Sequence, residues 1–202
     1  ARAARDAGAT VLSLGRTFGV GAALRAAYVY AEQHEYDVAV VMAGNNKDSP
    51  EEMPTLLDPI AAGSADLVQG SRYLRRHADY GDMPAYRRIA TRVHPRLFSW
   101  VSGQRVTDST NGFRAVTTAL LRDNRVDLRA RRLDEYELEP YLFLLAIRLG
   151  FRVQEVPVTK VYPPRQVGQT KMKPVTGWWS ILRPLLWAAL DGRGTRRTGG
   201  AS

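Results

Sequence analysis

The residues best suited to chemistry fall into four clusters. In the first, the apolar run Val38-Ala39-Val40-Val41-Met42 gives way to Ala43-Gly44-Asn45-Asn46-Lys47-Asp48, and then to Ser49-Pro50-Glu51-Glu52. Two amides, an ammonium and a carboxylate in six residues suit a ligand or metal site, with a polar strand-to-helix turn as the alternative. The second cluster is Arg72, directly after Gly70-Ser71, where it can meet an anion if a strand ends there or lie solvated at the surface. The third packs Asp108, Ser109, Thr110, Asn111, Gly112 and Arg114 into a turn around Phe113. The fourth is acidic: Asp134, Glu135, Glu137 and Glu139 either complement a helix N-terminus or supply a general base.

These clusters need elements to hold them. The run 38–42 reads as a buried parallel strand delivering its loop to a sheet's carboxyl edge, where open α/β sheets bind ligands. Ser49, Pro50 and Glu52 form a helix-start signal, a capping box with proline at the first helical position, for a helix to about Ile60 broken by Gly63. Residues 65–70 read as the next strand of a βαβ unit, so the sheet is expected to be at least partly parallel. Upstream, residues 1–7 read as a helix end, 9–14 as a short strand and 22–32 as a helix. The glycines between 15 and 21 fit a tight turn better than a phosphate loop, because no complete phosphate-loop motif is present. A helix over 86–100 puts Arg88, Arg92 and Arg96 on one face, a basic stripe for phosphates or lipid head groups or simply a solvated face. Residues 74–83 read as a mobile loop. The acidic run from Asp134 to Glu139 opens an apolar helix expected to continue through Leu149, and 151–161 alternate as a strand whose Pro157 marks it as an edge.

The 202 residues include no cysteine and three scattered histidines, which excludes disulfides and argues against a zinc site. A formal net charge of +9 attracts phosphates of some kind. The aromatics are not interleaved with the basic stripe as base-stacking requires, so no nucleic-acid partner is expected. Residues 1–173 read as one domain, 174–190 as an amphipathic helix and 191–202 as a disordered basic tail. Trp178, Trp179 and Trp187 beside a basic loop suit a membrane interface, or else docking on the domain's own core. Arg183-Pro184 in so short an apolar span argues against a membrane crossing.

Taken together, residues 38–52, 65–73, 110–115 and 150–158 resemble the family-2 glycosyltransferases of GT-A fold, in the branch of dolichyl-phosphate mannosyltransferase and its bacterial polyprenyl-phosphate relatives. Their order and spacing match from near residue 8 to about residue 173. The resemblance implies an α/β, Rossmann-like fold with a mixed, mainly parallel sheet flanked by helices. It further implies a nucleotide diphosphate sugar as donor, a polyprenyl-phosphate or related lipid-phosphate acceptor, and a peripheral location at the cytoplasmic, inner face of the membrane. Arg72, Arg87, Thr91 and Arg114 fall where the family holds the acceptor phosphate, and Asn45, Lys47, Asp48 and Lys171 where it holds the donor diphosphate. In the family an Asp-x-Asp motif binds a divalent metal, magnesium or manganese; here Ala43-Gly44-Asn45 replaces it, with Lys47 at a third ligand position. Three outcomes follow: a weakened metal site on Asn45 and Asp48, Lys47 partly replacing the ion, or a non-catalytic membrane-associated binding module that kept the fold. A hydroxyl acceptor would require a base from among Asp108, Asp134, Glu137 and Glu139. The chain starts after the family's first strands, so the half-site for base and ribose is expected to be missing from it.

Overall fold

A computed structural model describes residues 1–75, 80–162 and 174–191. Four strands form one sheet: β1 (Val38–Val41), β2 (Leu67–Ser71), β3 (Arg114–Thr117) and β4 (Val153–Pro157), in the order β1-β3-β2-β4. β3 is antiparallel to both β1 and β2, while β4 is parallel to β2. Three strands therefore point one way, and their carboxyl ends share an edge with the amino-terminal end of β3. This places the loops after β1, β2 and β4 and the loop before β3 at one rim.

Strand alternation divides the core. Leu67 and Val116, with Ala39, Val41 and Val153, face a large cluster built from α2 (Val20–Gln33), α4 (Ala85–Ser102), α5 (Thr118–Arg122), α6 (Leu138–Arg148) and α7 (Pro174–Asp191). Val68 and Ala115, with Val38, Val40 and Val156, face a smaller cluster covered by α3 (Met53–Ala61). A short helix, α1 (Arg2–Asp6), precedes these. The helices at 22–32 and 86–100 and the edge strand at Pro157 stand as expected, whereas the helix expected to open at Asp134 begins only at Leu138, residues 134–137 forming a turn whose Asp134 and Glu137 are ion-paired with Arg25 and Arg183.

Three further local expectations are corrected. Residues 9–14 form no strand and are largely exposed, because among the described residues no strand pairs with them. β1 is a half-buried edge strand paired antiparallel to β3 rather than a buried parallel strand, since β3 inserts between β1 and β2. Ser49 and Glu52 make no capping box: Ser49 Oγ donates to Glu51, and the Glu52 carboxylate accepts from Thr159 N at 2.6 Å, Thr159 Oγ at 2.7 Å and Arg75 at 2.5 Å. Distant partners have taken the side chain that local pattern assigned to the cap. The turn reading of the glycines holds. A Cβ at Gly21 would lie 1.9 Å from the Leu133 carbonyl, and the Gly21 and Ala22 amides bond the carbonyls of Glu135 and Asp134. Lys171 and residues 76–79 of the expected mobile loop lie outside the described residues, as does the tail from 192.

Candidate active site

The shared rim surrounds a cavity of about 660 Å³. Lys47, Arg72, Arg87, Arg114 and Lys160 line it, with Glu139 the one carboxylate among the lining residues that the structure describes. Arg72 and Arg114 are buried outright, and so are Lys47 and Lys160. Placing this much positive charge out of water is costly unless it is paired or meets an anion.

Each cation comes from a different segment of the chain. Arg72, just past β2, donates through Nε to Asp108 at 2.6 Å, through one terminal nitrogen to Asp108 and Thr110 at 3.3 Å each, and through the other to Tyr162 Oη at 3.1 Å. Four of its five N–H donors are thereby used. Burial works against its charge, but the Asp108 carboxylate beside it more than compensates, and the net shift is upward. The loop carrying Asp108 is itself pinned: Glu155 on β4 accepts from the amides of Thr107 and Asp108 and from the Thr107 hydroxyl at 2.7 to 2.9 Å. Arg114, at the head of β3, donates to the carbonyls of Glu139 and Asn111, both at 2.9 Å, and lies 3.6 Å from the Glu139 carboxylate. On α4, the Thr91 hydroxyl bonds the Arg87 carbonyl and meets Tyr73 Oη at 2.5 Å. Arg87 reaches Tyr162 Oη at 3.4 Å. Burial alone would push the Tyr162 phenol up, yet Arg72 and Arg87 outweigh it and the net shift is down.

On the β1 side, the Lys47 ammonium sits 4.6 Å from the centre of the Tyr162 ring, and the Lys47 carbonyl accepts from the Val161 amide. Desolvation lowers the Lys47 pKa, and the cations Arg87 and Lys160 add to that. Asn45 turns its side-chain oxygen to the Lys47 amide at 3.3 Å. The buried Asp48 carboxylate is ion-paired with Lys160 Nζ at 2.6 Å, and Lys160 also donates to Asn111 Oδ1 at 2.8 Å.

Arg72, Arg87, Thr91 and Arg114, the residues expected to hold an acceptor phosphate, thus come together in one cavity with Asn45 and Lys47. The base candidates do not. Asp108 is fully buried and engaged with Arg72 and Thr110, so it supports the wall of the cavity rather than facing it. Asp134 is paired with Arg25 at 2.6 Å, and Glu137 with Arg183 of α7. Only Glu139 of the four lines the cavity. Lys160 and Tyr162 escaped the sequence reading. The rule that ligands gather past carboxyl ends of strands, applied to β4 as it was to β1, would have pointed to Val158-Thr159-Lys160-Val161-Tyr162.

The metal expectation can be tested on the side chains present. Ala43 offers no ligand atom, Asn45 one neutral oxygen facing an amide, and Asp48 one oxygen already on an ammonium. Its other oxygen is buried without a hydrogen-bond partner among the described residues. One carboxylate oxygen beside two lysines is a poor donor set for magnesium or manganese, which favour several hard oxygens. No cluster of three or more His, Asp or Glu suited to a metal occurs among the described residues.

No family model matches the chain. It is, however, 34% identical over 174 residues to the undecaprenyl-phosphate mannosyltransferase of Micrococcus luteus, covering 85% of this chain and 68% of that protein. The chain belongs to the family-2 glycosyltransferases of the polyprenyl-phosphate branch. The polyprenol monophosphomannose synthase of Mycolicibacterium smegmatis is 33% identical over 154 residues, which span 76% of this glycosyltransferase chain and 56% of the relative. In fold it matches glucosyl-3-phosphoglycerate synthase of Mycobacterium tuberculosis with a TM-score of 0.60 at 18% identity, over 92% of this chain and 62% of that one.

The C-terminal tryptophans are only partly where an interface foot needs them. Trp178 lines the cavity, and Trp187 packs on the core beneath Arg132. Trp179 is 53% exposed. On α4, which packs against α7, Ile89 is 65%, Val93 54% and Trp100 79% exposed, beside the exposed Arg88, Arg92 and Arg96. No helix among the described residues is long and apolar enough to cross a membrane.

Proposed function

We propose that the protein transfers a sugar from a nucleotide diphosphate donor to a polyprenyl phosphate at a membrane surface. The observation that carries this reading is the cavity wall of five cations against one carboxylate among the described residues. A wall of that composition suits two phosphorylated ligands at once, one on the Lys47 and Asn45 side and one on the Arg72, Arg87, Thr91 and Arg114 side. An oxygen of the acceptor phosphate would attack the sugar's anomeric carbon as the bond to the diphosphate breaks and the nucleoside diphosphate leaves. The attacking phosphate is already ionised, so no general base is required, in keeping with the engagement of Asp108, Asp134 and Glu137 elsewhere. Positioning and stabilisation of leaving-group charge supply the rate.

The relatives named for undecaprenyl-phosphate and polyprenol mannose transfer support a long-chain lipid phosphate as acceptor. The exposed apolar residues of α4, flanked by arginines, support peripheral binding to an anionic membrane. The direct test incubates the intact protein with labelled nucleotide diphosphate hexoses and N-acetylhexosamines, a polyprenyl phosphate and vesicles, and measures label extracted into organic solvent. Lipid-linked sugar is the expected product. If no donor yields it, with manganese or without, the binding-module reading replaces the enzyme.

A further inference from the structure

We propose that the donor diphosphate is neutralised by ammonium groups of the chain itself, Lys47 and Lys160, in place of a divalent cation. This rests on reading the cavity as a sugar-transfer site. Positions 43 and 45, where the resemblance implies carboxylates, hold Ala43 and Asn45, and a lysine occupies the third position. The substitution is not isolated: a second lysine, from the far end of β4, arrives at the same loop. Lys160 Nζ is fixed by Asp48 at 2.6 Å and Asn111 at 2.8 Å, which occupies two of its three donors and leaves one, and Lys160 lines the cavity. Lys47 is oriented over the Tyr162 ring and lines the cavity too.

The charge of the lining agrees: among the described residues Lys47, Arg72, Arg87, Arg114 and Lys160 line the cavity with Glu139 as the one carboxylate, while Asp48 and Asp108 hold Lys160 and Arg72 from behind. A dication entering here would meet Lys47, Arg87 and Lys160 at short range, whereas a diphosphate would meet them as counterions. Asp48 in this scheme is a positioning residue that holds an ammonium, not a metal ligand.

The test is calorimetric titration of the intact protein with inorganic pyrophosphate and with nucleoside diphosphates, in excess EDTA and again with manganese. Binding is expected in EDTA. Lys47→Met should weaken it about tenfold, the worth of one charge-assisted hydrogen bond. Lys160→Met strands the buried Asp48, so the paired variant Asp48→Asn with Lys160→Met is measured beside it, and it should fold yet lose affinity by a similar factor. Pyrophosphate binding that needs manganese, or that ignores both lysines in EDTA, overturns the proposal. Sugar transfer that runs with manganese and stops in EDTA also overturns it while leaving the transferase reading intact. Pyrophosphate binding in EDTA by a protein that transfers no sugar removes the donor-site reading, and this proposal falls with it.

Discussion

Asp108→Asn separates a structural carboxylate from a chemical one. Asp108 accepts from Arg72 three times, through the amide at 3.2 Å, Nε at 2.6 Å and a terminal nitrogen at 3.3 Å, and from the Thr110 amide and hydroxyl at 3.2 and 3.1 Å. Its side chain is 0% exposed and that of Arg72 is 2%. Asparagine keeps one acceptor oxygen, turns the other position into a donor facing a guanidinium, and leaves Arg72 charged and uncompensated. Breaking a buried pair this way costs about 3–5 kcal/mol. For a chain of this size, each kcal/mol shifts Tm by about 2–4 °C, so a fall on the order of 10 °C is expected. Removing Arg72 as well, as Arg72→Met with Asp108→Asn, takes away the stranded charge and should recover a good part of that loss. Thermal and urea melts of the two single variants and the double give the coupling directly. An Asp108→Asn protein that melts like the wild type but transfers no sugar would refute the reasoning and make Asp108 a group of the reaction itself.

Two further outcomes are expected. The ring of His94 spans Ser109 Oγ at 2.7 Å and the Ile181 carbonyl at 3.3 Å; since a carbonyl only accepts, Nε2 carries the proton and Nδ1 accepts from Ser109. Burial pushes its pKa down to about 4, with the Ile181 bond and the charge of Asp108 pulling back. The folded state therefore binds its proton less readily than the unfolded chain. Stability is full above about pH 6.5 and is lost as pH falls toward 4, by up to about 3 kcal/mol, and urea melts across that window should show a slope that His94→Gln flattens. Replacing Ile89, Val93, Trp100 and Trp179 by serine should abolish co-sedimentation with anionic vesicles at unchanged Tm. Serines at Trp178 and Trp187 should instead lower Tm, and vesicle binding by the four-serine variant would show that the membrane contact lies elsewhere.

What sequence made legible follows from the range of the interactions involved. Helices 22–32 and 86–100, and the end of the helix before Gly150, were readable because periodicity and terminal glycines act within a few residues, whereas the acidic run from Asp134 placed that helix's start four residues early. Pro157 marked an edge strand because a missing N–H is a local fact. Residues 9–14 had strand composition, but a strand requires a partner, and composition cannot supply one. Glu52 had the position of a capping residue, yet Thr159, 107 residues away, competes for the same oxygens and wins. Tertiary structure overrode local preference at that position.

The site divides along the same line. Arg72 and Arg114 could be placed from motifs because each sits in a stretch whose order and spacing are distinctive, and Arg87 and Thr91 only as a pair of helix positions that the resemblance implies. Lys160 lies in no such stretch; it belongs to the site because β4 runs parallel to β2, so that both strands finish at one rim. The reversed strand β3 completes the arrangement, since only an antiparallel strand could bring the head of its chain, with Asp108, Asn111 and Arg114, to the edge where the others end. Asn111 then connects the halves: its amide donates to the Gly70 carbonyl at 3.0 Å, while its oxygen holds Lys160. A change at Asn111 would disturb the support of Lys160 on one side and the strand end leading to Arg72 on the other. The mixed topology of the sheet is thus what makes a single cation-lined cavity out of residues that are far apart in the chain.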